Sequence, residues 1–421
     1  MINEKVSKLI NSNYFLVVLS LINLLICLIY LLGYSKSMYV PWHEYTDIAV
    51  NIAAGNGYRG TGFFKLFCGP TAFLMPIYSY LLAFFIYIFK LPTAYLMARC
   101  FNALINIAIL LMIYKLAEEI YDKRVGVVSA AIFSIYLPFV FWTYEVWDTL
   151  LFSLILLVSV YLTLIALKKN KWPIIISLGI SLGLSILINA ISAVLVPFLL
   201  GYYMLNSNNK PIEAIREALI VLLLIIVIVI PWSYRNCLAF KTFIPLRTGL
   251  WLNLYLGNNP DSTGTVYLKY KGRVCEDYNE GITRHFRPMI SSLMKYNEYD
   301  QDQYLKDKFK QYIVVSPLEF SRLLLKKAYY FWWFNPFEKT HLICVYEYAL
   351  VLLLALCATC FDCFKKKRAK LILILFFTFT IIYVLTGPFF NWKYRLPIEP
   401  YLIILAAYSI SKLFKVKTLK S

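Results

Sequence analysis

Charge is scarce in this chain. Only 15% of its 421 residues are charged, against 60% hydrophobic and 17% aromatic, and so few polar groups cannot cover a soluble globular surface. Histidine is nearly absent, and His43, His285 and His341 are too scattered to form a zinc motif. Glycine-rich phosphate cradles are missing too: neither Gly-x-Gly-x-x-Gly nor a Gly-Lys-Ser/Thr loop occurs, which disfavours a cytosolic nucleotide-sugar or ATP site. Cysteine is dispersed, and only Cys357, Cys360 and Cys363 are regularly spaced, at the end of a hydrophobic run where acylation or helix packing suits them better than a metal. No fixed-period repeat or low-complexity linker divides the chain.

Long hydrophobic runs dominate instead. Residues 12–34 are about long enough to cross a ~30 Å hydrocarbon core; Lys5 and Lys8 precede them and no small-residue cleavage site follows, so a retained helix with a cytoplasmic N-terminus is expected. Further spans are expected near 94–116, 125–142, 149–167, 173–188, 190–205, 217–233, 344–362, 371–387 and 397–414. The chain is therefore an all-α, polytopic integral membrane protein. Its excess of 42 basic over 23 acidic residues, net +19, sits largely in short loops and tails, where it signals topology and lipid contact and calls for no nucleic-acid partner.

The most basic loops fix the sides. Lys168-Lys169-Asn170-Lys171, Lys365-Lys366-Lys367-Arg368 and the C-terminal tail are assigned to the cytoplasm, so 234–343 and the Glu145/Asp148 loop lie outside. With the N-terminus also inside, parity forbids a full crossing by 72–89, an apolar segment starting after Pro70 and rich in tyrosine. Residues 35–93 then form a first external loop within a membrane module 1–233. An external region 234–343 follows the seventh span, and 344–421 holds the last spans and a basic tail. Helical patterns occur at 298–315 and, as an amphipathic surface helix, at 318–336; Cys68 and Cys275 share the external side and are free to pair.

Two acidic stretches stand out, Trp42-His43-Glu44-Tyr45-Thr46-Asp47 and Tyr144-Glu145-Val146-Trp147-Asp148-Thr149. Carboxylates at a bilayer edge are costly unless used. Glu44 and Asp47 open a helical stretch, where negative charge also serves as a cap, but a partly desolvated acid here suits a general base. His43 adjoins it. Glu145 and Asp148, three apart, would share a helix face and orient an acceptor or a divalent cation, or else cap the following helix. Arg235, Lys393 and Arg395 lie at outer span ends against the usual charge bias, which fits binding of a lipid-linked phosphate as well as snorkelling to ordinary headgroups; Lys65 and Arg247 are weaker candidates.

These residues fall in an ordered series: Trp42-His43-Glu44 with Ile48-Ala49 and Gly55-Asn56-Gly57-Tyr58, then Gly69-Pro70-Thr71-Ala72 with Pro76-Ile77-Tyr78, Trp147-Asp148-Thr149-Leu150, Pro231-Trp232-Ser233-Tyr234-Arg235-Asn236, Gly257-Asn258-Asn259-Pro260, and Tyr394-Arg395-Leu396-Pro397. Over roughly 12–410 the series resembles the GT-C glycosyltransferases, specifically the family 39-like group related to protein O-mannosyltransferases and lipid A aminoarabinose transferase. The resemblance implies a GT-C-type bundle of about ten transmembrane helices with non-crossing helices in the first external loop. It also implies inverting transfer of a sugar from a polyprenyl-phosphate donor to a glycan, lipid or protein acceptor on the outer side. Glu44 would be the base; many members carry Asp-Glu where this chain has His43-Glu44, so Asp47 remains an alternative. Glu145 and Asp148 match the second acidic loop, and Arg235 and Arg395 match donor-phosphate positions. Two other classes stay open: a transporter or flippase of a lipid-linked saccharide, though no repeated halves are evident, and a non-catalytic polysaccharide-assembly subunit.

Overall fold

A computed structural model describes residues 13–34, 44–60, 69–168, 171–265, 268–270, 273–274, 289, 292–293, 295–334, 341–387 and 392–414. His43, Lys65, Cys68 and Cys275 lie outside the described residues. The fold is a helical bundle. Apolar runs without internal charge become helices because hydrocarbon offers no partner for backbone N–H and C=O groups, which must pair within the segment. In chain order the described helices, charged and apolar alike, are α1 (Asn13–Tyr34), α2 (Glu44–Ala53), α3 (Pro76–Phe89), α4 (Thr93–Ile120), α5 (Lys123–Ser134), α6 (Leu137–Trp142), α7 (Thr149–Lys168), α8 (Trp172–Ile188), α9 (Ile191–Asn206) and α10 (Pro211–Phe240). There follow α11 (Leu250–Gly257), α12 (Glu298–Val315), α13 (Pro317–Trp332), α14 (Leu342–Cys357), α15 (Lys370–Thr386) and α16 (Glu399–Leu413). Two short antiparallel pairs, β1 (Arg59–Gly60) with β2 (Gly69–Pro70) and β3 (Lys269–Tyr270) with β4 (Arg273–Val274), are the named strands among the described residues.

Among the described residues seven helices are long and apolar enough to span a membrane, and α3, α8 and α9 are shorter apolar helices. Lipid-facing surface is plain on α10, where Leu219, Leu222, Leu223, Ile226, Val227 and Ile230 are all exposed. The last helix is the central one: every residue from Glu399 to Ser409 is buried. Between α8 and α10 the packing is close, because a Cβ on Gly179 or Gly183 would meet Leu224 at 2.8 Å and Ile228 at 2.9 Å. Small residues four apart let the two backbones approach where lipid supplies no hydrophobic drive for association. Polar glue joins α1, α4 and α5, with Asn23 donating to the Ser134 carbonyl at 3.1 Å and Asn106 donating to Asn23 at 3.2 Å.

The basic loops cluster in space. Lys168 and Arg368, from two separate basic loops, both pair with Glu119 at 2.6 and 2.8 Å, and Lys366 donates to the Tyr121 carbonyl at 2.8 Å, so these loops gather at one end of the bundle. At the other end, α2 and the first turns of α4 flank the same turn at 143–148: Tyr45 packs on Trp147, while Arg99 and Asn102 donate to the carbonyls of Tyr144 and Glu145. Helix α3 lies between α2 and α4 in sequence, so it leaves from and returns to one end; its 14 residues rise about 21 Å, short of a crossing. The expected single span 125–142 is instead broken into α5 and α6. Pro138 stands in the first turn of α6, and Glu347 of α14 accepts the Leu137 N–H at 2.8 Å, so the break leaves that donor satisfied.

The helices expected near 298–315 and 318–336 are present as α12 and α13. With α11 they build a small second core of Tyr255, Leu256, Leu268, Leu305 and Phe309. On α13, Lys327 is buried and donates to Asn258 at 3.0 Å; desolvation pushes its ammonium down to about 7.

Candidate active site

Helix ends converge at the end of the bundle opposite the basic loops. The start of α2, the start of α7, the α8–α9 junction, the segment 245–253 with α11, the end of α15 and the turn before α16 enclose a cavity of about 740 Å³. Among the described residues its charged lining is Glu44, Asp148, Arg247 and Lys393; Asn189, Asn253, Thr386, Tyr383 and Tyr394 add hydrogen-bonding groups. The acidic stretches are thus brought together, one carboxylate from each.

Asp148 is the better enclosed of the two, at 4% exposure. It precedes α7, its carbonyl accepting the Phe152 N–H at 2.8 Å, while Asn189 donates to its carboxylate at 3.1 Å. Burial raises its pKa to about 6; the charges of Lys393 and Arg247 and the hydrogen bonds of Asn189 and Tyr45 oppose that rise. Asn189 is held in turn by the Ile191 N–H, which donates to its side-chain oxygen at 3.2 Å. Because the Asp148 pKa is raised, acidification through pH 6 adds a proton that the unfolded chain does not take until lower pH. Protonation there favours the folded state while removing the negative charge of Asp148 from the cavity. Activity that needs the Asp148 carboxylate should fall as pH drops through about 6 without loss of the fold. A pH–rate profile beside a pH series of melting temperatures checks this, and Asp148→Asn should flatten the acid limb.

The other sequence candidates separate. Glu44 opens α2 and faces the cavity, half-buried. Asp47, one turn on, is buried toward β1, where a Cβ on Gly60 would meet its Oδ2 at 3.1 Å; it does not line the cavity. Glu145 is exposed at the turn, within the electrostatic reach of Arg99 and Lys393, and also falls outside the lining. Lys393 does reach the cavity, its ammonium 4.3 Å from the Trp147 ring centroid. Arg235 is committed elsewhere, donating to the carbonyls of Thr71 at 2.6 Å and Tyr58 at 2.5 Å, and so ties α10 to the first loop. Arg395 is buried under Tyr348, donating to Glu399 at 2.9 Å and to the Phe331 carbonyl at 3.0 Å. An arginine at a span end looks like a headgroup ligand in sequence, but here two of them brace the bundle.

The cation that sequence ranks low is central in space. Arg247 follows α10 and lines the cavity, its guanidinium 5.0 Å from the Phe73 ring centroid. Gly249, at φ +79°, turns the chain into α11; a Cβ there would sit 2.5 Å from the Phe73 ring. Gly249→Ala combines left-handed strain with that clash and should cost about 1–3 kcal/mol, visible as a lowered melting temperature in detergent. Asn189, Asn253 and Thr386 carry no sequence signal: Asn189 and Thr386 are ordinary polar residues at helix ends, and Asn253 sits inside the short α11. Among the described residues no three His, Cys, Asp or Glu side chains gather as a cation site, and the two cavity carboxylates are accompanied by Arg247 and Lys393 instead.

Residues 71–234 match the family model of dolichyl-phosphate-mannose-protein mannosyltransferases, a stretch running from the first loop through most of α10. The apo oligosaccharyltransferase of Archaeoglobus fulgidus superposes with a TM-score of 0.61 at 14% identity, over 96% of this chain and 51% of that one. The chain has the GT-C superfamily fold. Archaeal oligosaccharyltransferase AglB of the same organism, solved with an inhibitory peptide and a dolichol-phosphate, gives a TM-score of 0.56 at 13% identity, over 95% of this chain and 50% of that one. The chain spans about half the length of these solved structures. No curated protein matches it by sequence.

Proposed function

We propose that this GT-C chain is a membrane glycosyltransferase that moves a sugar from a polyprenyl-phosphate-linked donor onto an acceptor hydroxyl, with inversion at the anomeric carbon. The observation that carries this reading is the charge arrangement of one cavity, two carboxylates and two cations beneath aromatic walls. Glu44 accepts the hydroxyl proton as that oxygen bonds to the anomeric carbon. The bond from that carbon to the phosphate oxygen breaks, and the polyprenyl phosphate leaves with its charge met by Arg247 and Lys393. Asp148, fixed by Asn189, orients the acceptor or offsets positive charge developing on the sugar.

The apolar part of the wall supports a lipid donor. Ile191, Ala193 and Val194 of α9 face Ile382 and Thr386 of α15 across the cavity, and Val194, Phe198, Ile381 and Leu385 on the same two helices are exposed on the outer, lipid-facing surface. A polyprenyl chain between α9 and α15 would keep its tail in hydrocarbon and its phosphate at the cations. In the cell membrane the cavity would face outward with both termini cytoplasmic, as the basic loops gathered at the opposite end suggest. The acceptor is a glycan, a lipid or a protein hydroxyl.

Reconstitution in vesicles with a panel of synthetic polyprenyl-phosphate sugars tests the proposal. Release of free polyprenyl phosphate coupled to acceptor glycosylation is the expected result. Movement of the intact lipid between leaflets would mark a flippase, and neither reaction with any donor would leave an assembly subunit.

A further inference from the structure

Helix α12 contributes nothing to the cavity lining, yet its first two turns hold the wall that carries Arg247. Glu298, the first residue of α12, is buried at 6% exposure. Its carboxylate accepts hydrogen bonds from the Thr71 hydroxyl at 2.5 Å, the Ala72 N–H at 2.9 Å and the Thr248 hydroxyl. The Thr248 N–H in turn donates to the Ala72 carbonyl at 3.1 Å, stitching the first loop to the residue after Arg247. One turn along, the Asp302 carboxylate accepts the Leu252 N–H at 2.8 Å, beside the amides of Trp251 and Gly249, and so caps α11 from outside that helix. Residues four apart share a helix face, so one face of α12 grips both ends of the segment 248–252. Arg247 precedes that segment and lies near both acids.

A carboxylate this enclosed is costly. Burial raises the pKa of both groups, and hydrogen bonds from Thr248, Thr71 and Ala72 offset the cost at Glu298. A capping role for α12 itself would need no such burial, since a first-turn acid serves that purpose from solvent. The three bonds Glu298 accepts come from the two segments, 71–72 and 248, that flank Phe73 and Arg247 in the lining.

We propose that Glu298, assisted by Asp302, is a positioning residue of the donor site: it locks the 71–74 loop to the 245–252 wall and thereby sets the Arg247 guanidinium for the donor phosphate. This rests on the donor-phosphate reading of Arg247 given above. The external helix α12 is thus coupled to the chemistry through two carboxylates and no direct contact with substrate.

The test compares binding of farnesyl phosphate and of farnesol to the full-length protein in detergent, followed by intrinsic tryptophan fluorescence, with melting temperatures measured alongside. Arg247→Ala should weaken farnesyl phosphate binding about tenfold, as loss of one charge-assisted contact does, and leave farnesol unaffected. Glu298→Ala should reproduce that phosphate-specific loss, and adding it to Arg247→Ala should produce no further loss, because the two act in series. Glu298→Gln keeps an acceptor for Ala72 and should bind within about threefold of the native protein. Thr248→Val removes one clasp from a folded protein and should give an intermediate, phosphate-specific loss. Glu319→Gln, on the exposed first turn of α13, serves as the control without effect. Equal losses for farnesol and farnesyl phosphate in Glu298→Ala, or additive losses in the double variant, would overturn the proposal. If Arg247→Ala weakens phosphate binding while Glu298→Ala and Thr248→Val do not, positioning by Glu298 fails and the donor site stands. If Arg247→Ala has no effect, both fall.

Discussion

Glu44→Gln is expected to lower sugar transfer by about 10²–10⁴-fold, the usual contribution of a positioned general base, while the protein folds and holds the lipid donor as before. Glutamine keeps the size and hydrogen-bonding reach of the side chain and removes only its capacity to take a proton. Glu44 is half-buried at the mouth of α2 and in the cavity lining, so the change adds no cavity and leaves no buried charge unpaired. Single-turnover transfer from a synthetic polyprenyl-phosphate sugar, with a parallel binding measurement, separates chemistry from affinity. Asp47→Asn is the comparison that matters: it should leave the chemical step nearly intact, since Asp47 is turned toward β1 and away from the cavity. Retention of transfer in Glu44→Gln with its loss in Asp148→Asn would move the base to Asp148.

Arg395→Ala is expected to lose the folded protein rather than the donor. Arg395 and Glu399 have side-chain exposures of 7% and 1% and meet at 2.9 Å; Tyr136 donates to the other oxygen of Glu399 at 2.9 Å. Removing the guanidinium strands a carboxylate at the start of the central helix, a loss on the order of 3–5 kcal/mol. The expected signs are a low yield of monodisperse protein and a sharply lowered melting temperature. Replacing both partners, Arg395→Met with Glu399→Met, removes both charges and should recover much of the loss. A stable Arg395→Ala protein with weakened donor binding would instead restore this residue to the phosphate site that its sequence position suggests.

Arg395 shows why side chains at span ends are hard to assign from sequence. Its basic character outside a span was legible, and so in principle was Glu399 at i+4, the spacing of a helical ion pair. What could not be read was that this turn enters the middle of the bundle, where the pair is shielded from headgroups. Arg247 is the converse: a lone arginine after a span with nothing distinctive around it, made central because the chain turns at Gly249 and α11 folds back over the first loop. Glu298 reads as an ordinary first-turn acid in a polar region, and only the approach of residues 71–72 and 248 makes it a clasp.

From sequence alone came the apolar solvent, the helical class, the positions of most apolar helices and the expectation that the segment of α3 does not cross, while the break within 125–142 did not. Each follows from transfer free energies summed along the chain and from charge counted loop by loop, quantities that need no neighbours. It also marked the two acidic stretches, because a carboxylate beside hydrocarbon is costly wherever the helices go. Tertiary structure alone decided which acid of each pair faces the cavity, which cations accompany them and which are consumed as braces. Those outcomes depend on the rotation of each helix about its axis and on the convergence at one cavity of residues as far apart in sequence as Glu44 and Lys393, and neither is encoded in local spacing.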